Sequence, residues 1–162
     1  MSSVNKTQVF IGVIGLFIGL LIYLADRPPD SAYFIYATST RISLYGVLPN
    51  LFGAFGRSLP ALVHVFSFSL ITAGLLSCKK KGCFIVCLAW FIIDFVFELG
   101  QKFDAQSARI VPDLFAGIPF LQNTKNFFLQ GTFDPLDFVA MAIGGMTAYL
   151  VILATTERRY AS

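Results

Sequence analysis

The chain has 162 residues, a length suited to one domain. Apolar residues make up 56% of it and charged residues only 13%, with a mean hydropathy of +0.73, so a soluble domain of this size has too little interior to hide the apolar surface, whereas a bilayer requires no hiding. The net charge of +3 is spread over short segments and forms no basic face that points to nucleic acid.

The first apolar stretch runs from about Val9 to Ala25 and is stopped by Asp26, Arg27, Pro28 and Pro29. Lys6 is the one basic side chain before it, and Tyr23 stands where a leader-peptide cleavage site wants a small residue, so it is read as a retained helix. A second stretch starts at Pro60, a favourable first-turn residue, and runs to about Cys78. Lys79, Lys80, Lys81 and Gly82 then make a tight basic turn. A third stretch runs from about Cys83 to Gly100, and a fourth from about Pro135 to Ala154, followed by Glu157, Arg158 and Arg159. Each is near the length that crosses a hydrocarbon core of about 30 Å. The predicted fold is therefore all-α: a bundle of four transmembrane helices forming a single membrane domain over residues 1–162.

Charge sets the expected orientation. Lys6, the three turn lysines, Arg158 and Arg159 share one side in very short segments. Arg27, Arg41, Arg57, Lys102, Arg109 and Lys125 are diluted over two long loops on the other. The denser side is expected to be cytoplasmic, with both termini, in a cell membrane (the inner one in a double-membraned bacterium). The loops then face outward. Tyr33, Phe34, Tyr36, Tyr45, Leu51, Phe52 and Phe55 in the first, and Leu114, Phe115, Phe120, Phe127 and Phe128 in the second, read as segments lying in the interface or dipping into it.

Three cysteines, Cys78, Cys83 and Cys87, cluster at the inner end of one helix hairpin. An odd count with no Cys-x-x-Cys argues against a disulfide framework and a zinc site, and they read as small packing residues. Gly15 with Gly19, and Ala140, Gly144 and Ala148, follow the small-residue spacing of closely packed helices. No phosphate loop, nucleophile elbow or metal-ligand spacing calls for a cofactor or metal.

The polar residues converge. Asp94, Glu98 and Gln101 share one face of the third helix. Counted from Cys83 at the inner end, Asp94 is roughly 16 Å and Glu98 roughly 22 Å along the axis. The second helix brings His64, the only histidine, to a similar outer depth, and the fourth starts there with Phe133-Asp134-Pro135-Leu136-Asp137. Nothing comparable is expected at the inner end. Acids inside a span are expensive and usually face the bundle interior. Asp134 also reads as a helix N-cap and Asp137 as a first-turn anion. His64 also reads as a hydrogen-bonding partner of a neighbouring helix. Glu98, Asp94 and His64 are the candidates for catalysis; Gln101, Asp134, Asp137 and Arg57 are those for ligand binding, Arg57 also as a counter-charge.

Over residues 61 to about 150 the chain resembles the VanZ-like membrane proteins. The resemblance rests on His64 in Ala61-Leu62-Val63-His64-Val65-Phe66-Ser67-Phe68, on Glu98-Leu99-Gly100-Gln101 followed by Phe103, and on Phe133-Asp134-Pro135-Leu136-Asp137 with Ala140 and Gly144. The chain departs from the family at Met141, where the family usually has Asn, and at Gly131-Thr132, where an arginine is frequent. The resemblance implies a membrane protein of the cell envelope, linked in some members to tolerance of envelope-directed antibiotics, without a defined reaction. Three functions are then weighed. The first is an envelope protein that handles an amphiphile at the outer polar cluster, the second a structural or assembly subunit joined to another membrane protein or to its own copies, and the third ion or solute transport.

Overall fold

The computed structural model describes residues 4–26, 43–47, 52–118 and 121–161, the side chains of Ala54 and of 157–161 excepted. Arg27, Pro28, Pro29, Tyr33, Phe34, Tyr36, Arg41, Leu51 and Phe120 lie outside the described residues, as do the side chains of Glu157, Arg158 and Arg159. The protein is an all-α, four-helix membrane bundle. Its long helices are α1 (Lys6–Asp26), α2 (Leu59–Leu76), α3 (Lys80–Lys102) and α6 (Pro135–Ala161). All four are long and apolar enough to cross a membrane, α6 over Pro135–Thr156. A 3₁₀ turn, Gly53–Arg57, leads into α2. Between α3 and α6 lie α4 (Asp104–Ile110), a 3₁₀ turn (Asp113–Gly117) and α5 (Thr124–Gln130).

The basic turn is placed differently from expectation. Leu76 ends α2, and Ser77 turns the chain with a left-handed backbone (φ 49°). Lys80, Lys81 and Gly82 already belong to α3. Lysine is a good helix former, and the reversal needs only Ser77 to Lys79. For the same reason α6 continues through Glu157-Arg158-Arg159 to Ala161 rather than stopping near Ala154.

Helix α2 is the centre of the bundle, packed against α1, α6 and α3, while α6 also packs on α3. Its close neighbours are admitted by small residues. Gly12, Gly15 and Gly19 are buried along one face of α1. A Cβ on Gly15 would collide with Ser67 Oγ of α2. On the other side Gly144 of α6 lies directly on the Leu62 carbonyl of α2, where a Cβ would strike main chain. Such contact supplies van der Waals attraction where lipid gives helices no hydrophobic reason to associate. The opposite faces are apolar and exposed. Leu136, Val139, Ile143, Met146 and Leu150 form a stripe along α6, and Phe10, Val13 and Phe17 one along α1. In water this surface would be unstable; in a bilayer it is solvated by acyl chains.

The two ends of the bundle are built differently. At the Lys79 end, Asn5 caps α1: its Oδ1 accepts from Gln8 N–H (3.4 Å), and its own N–H donates to the Gly74 carbonyl (2.9 Å). Gln8 is buried, and its amide donates toward Thr155 Oγ1 (2.9 Å), Thr156 Oγ1 (3.2 Å) and the Ile152 carbonyl (3.3 Å) of α6. The expectation of no polar cluster at this end is thus corrected. At the other end, Asp26 Oδ2 accepts from Phe52 N–H (2.9 Å), which ties the end of α1 to the turn before α2. Phe128 of α5 packs over Gly100, and Phe97 of α3 lies against the rings of Phe127 and Phe128, so the short helices are seated on the end of α3. Lys125 of α5 bonds Asp113 (2.8 Å); this hydrogen bond and the ammonium charge hold the Asp113 carboxyl below its ordinary value.

The Gly144 contact separates two neighbouring glycines. Gly144→Ala must push α6 off the α2 main chain, an overpacking that costs about 1–3 kcal/mol. A Cβ on Gly145 meets nothing nearer than Val65 Cγ1 at 3.6 Å, so Gly145→Ala keeps the packing and gains helix propensity. Thermal unfolding in detergent is expected to show a lowered midpoint for the first and an unchanged or raised one for the second. Equal midpoints would contradict the packing described.

Candidate functional site

Two antiparallel helices carrying residues at four-residue spacing face each other along one seam. On α2 these are His64, Phe68 and Thr72; on α3 they are Trp90, Asp94 and Glu98. Trp90 Nε1–H donates to Thr72 Oγ1 (3.0 Å). The Trp90 and Phe68 rings stack with centroids 4.7 Å apart, and His64 meets Phe68 edge-on at 4.4 Å. At the end of this ladder His64 Nδ1 lies 2.6 Å from Asp94 Oδ2. The Asp94 side chain is only 11% exposed, whereas that of His64 is 45% exposed. The carboxylate is therefore shielded, and the imidazole reaches the bundle surface. A neutral imidazole that donates from Nδ1 presents Nε2 as an acceptor, so Asp94 fixes both ring orientation and tautomer.

One turn further along α3, buried Glu98 turns to a different helix. Its Oε1 accepts from the Asp134 backbone N–H (2.8 Å). Asp134 in turn caps α6: Oδ1 accepts from Leu136 N–H (2.9 Å), and its carbonyl accepts from Asp137 N–H (3.0 Å). Pro135 at the first helical position has no N–H to satisfy. Two carboxylates thus sit at the positive end of the α6 dipole, an arrangement that stabilises both the charges and the helix start. Asp137 follows in the first turn, partly buried.

The other expected residues frame this centre. The Gln101 carboxamide lies against Gly131, where a Cβ would stand 2.6 Å from Gln101 Cδ and 2.5 Å from the Phe127 carbonyl. Gly131 therefore serves close approach. Arg57 is the exposed last residue of the 3₁₀ turn before α2. The side chain seated against Asp94 is His64. Lys102 Nζ is 5.3 Å from the Phe133 ring centre, bridging the end of α3 to the segment before α6. Phe95 of α3 packs on Phe138 of α6 with centroids 4.5 Å apart and closes the apolar side. Met141 is buried.

Among the described residues, no three His, Cys, Asp or Glu side chains are disposed to hold a metal ion. Chemically the site offers a surface-facing imidazole backed by a carboxylate, with acceptor-rich carboxyls nearby. Sequence reasoning missed Trp90, Phe68 and Thr72 as the seam's packing partners, although the four-residue spacing from His64 and Asp94 was present to be read. Comparison of the chain with protein-family models, with curated proteins and with solved structures gives no match.

The hydrogen bond to Asp134 gives Glu98 a testable structural role. Glu98→Gln keeps an acceptor for that N–H, whereas Glu98→Ala takes this partner from a part-buried N–H, a loss of about 1 kcal/mol. The alanine variant is expected to unfold at lower temperature in detergent, with the glutamine variant close to wild type. Equal, unchanged midpoints would remove Glu98 from the α6 cap.

Proposed function

We propose that this integral membrane protein is a VanZ-like protein of the cell envelope that handles an amphiphilic ligand at the end of the bundle carrying His64, Asp94 and Glu98. In this reading both termini and the Lys79 turn are cytoplasmic, and the polar end faces the outer leaflet. The observation that carries the proposal is the His64–Asp94 pair: a buried carboxylate holds an imidazole that is itself nearly half exposed. A purely structural pair gains nothing from an exposed ring at hydrocarbon depth, where polar groups are costly unless they are used. His64 Nε2 accepts a hydrogen bond or proton from the head group, and Asp94 steadies the ring. Asp137, Gln101 and Arg57 contact the rest of the head group. Glu98 and Asp134 hold the start of α6 in place. Carboxyls and imidazole are mainly acceptors, which favours a head group rich in hydroxyl or amine donors over a bare phosphate.

A second reading, a structural or assembly subunit, draws on the Glu98–Asp134 bond, which explains one membrane acid without any ligand. The two readings part on variants. His64→Asn, which keeps an N–H donor toward Asp94, and Asp137→Asn should leave membrane abundance and detergent stability near wild type while removing an envelope-stress or glycopeptide-tolerance phenotype. If abundance and stability fall together with the phenotype, the cluster serves assembly and the ligand-handling proposal fails.

A further inference from the structure

At the Lys79 end, the three cysteines do not form one equivalent group. Cys78 is half-buried in the turn after Ser77, whereas Cys83 and Cys87 are buried in α3. Cys83 Sγ lies 3.3 Å from Cys78 Sγ and 3.1 Å from the Cys78 carbonyl. The approach depends on Gly82: a Cβ there would stand 2.9 Å from Cys78 Cβ. The turn therefore places an accessible sulfur against a buried one. With no third ligand disposed for a metal among the described residues, the pair is a dithiol rather than a metal centre. A disulfide requires the two sulfurs to come to about 2.05 Å, a shift within reach of side-chain rotation in an irregular turn. Lys79, Lys80 and Lys81 follow Cys78 directly in the chain and are exposed, a local positive charge that favours an anionic small disulfide.

We infer that Cys78 and Cys83 form a reversible disulfide that staples the turn between α2 and α3, made and broken by exchange with a small disulfide of the glutathione class. In the first step the Cys78 thiolate attacks one sulfur of the small disulfide; that S–S bond breaks, and one thiolate leaves and takes up a proton. In the second, Cys83 gives up its proton and attacks the Cys78 sulfur of the mixed disulfide, releasing the second small thiol. Two protein thiols and one small disulfide become one protein disulfide and two small thiols, so no further oxidant is needed. Excess reduced thiol runs both steps backwards. Cys87, one turn deeper, takes no part.

The test uses the full-length protein in membrane vesicles, incubated with oxidised glutathione. Remaining thiols are then blocked with a maleimide in denaturant, and the linkages are mapped by mass spectrometry without reduction. The expected result is loss of two of the three alkylatable thiols, a linked Cys78–Cys83 peptide pair within one chain, and recovery of both thiols with reduced glutathione. Cys87→Ser should behave as wild type in forming the bond, and Cys78→Ser should form none. Three free thiols after oxidation in both wild type and Cys87→Ser would overturn the inference. So would a stable glutathione adduct on Cys78, a bond to Cys87 or a bond between two chains.

Discussion

Asp94 and Glu98 stand one turn apart on the same face of α3, inside a stretch otherwise suited to hydrocarbon, and each is met by a group from a different helix. Within a hydrocarbon layer a carboxylate must find its partners within the protein. This requirement fixes how α3 faces its neighbours. Asp94 needs α2 beside it, because His64 is there. Glu98 needs the start of α6, because the Asp134 N–H is there. Once both are met, α3 has little freedom to rotate, and the aromatic ladder of Trp90 and Phe68 falls into place along the same seam.

The remaining architecture serves the helix that carries His64. Glycines on α1 and α6 let both helices close on α2, whose Val65, Ser67, Ser69 and Leu70 are buried as a result. At the far end Gln8 reaches across to Thr155 and Thr156, holding α1 to α6 where the contact between them is otherwise slight. The bundle thus has a clasp at one end and a polar cluster at the other. The two differ in access: Gln8 is enclosed, whereas His64 opens to the surface. That difference is the physical ground for treating only one end as a place where a ligand is handled.

Much of this was legible in the sequence. The four apolar stretches have the length and composition of spans, and the spacing of Asp94, Glu98 and Gln101 assigns them one face. Asp134-Pro135 carries its capping chemistry in the residue types themselves. What a single sequence does not encode in its periodicity is which face meets which neighbour. Arg57 is therefore a plausible counter-charge on the sequence alone, while the structure sets His64 against Asp94. Gln8 was hidden by its apolar surroundings, although Asn5 and Gln8 have the spacing of a helix cap. Charge and glycine suggest a turn at the lysines, yet Ser77 to Lys79 suffice for the reversal and Lys80 and Lys81 join the helix. The short helices α4 and α5 are too brief for a periodic signal and gain their order from Phe127 and Phe128 packing on α3.

The central claim is that an amphiphile reaches the surface formed by His64, Phe68, Trp90 and Asp94. Photolabelling tests it directly, by comparing a diazirine-bearing glycolipid with a diazirine-bearing phosphatidylcholine in the same vesicles and mapping the adducts by residue. The account predicts that glycolipid adducts concentrate on residues 64–68 and 90–94, exceed those of phosphatidylcholine there, and disperse in His64→Ala. Equal yields and the same even distribution for both lipids around the exposed faces of α1, α3 and α6 would contradict it.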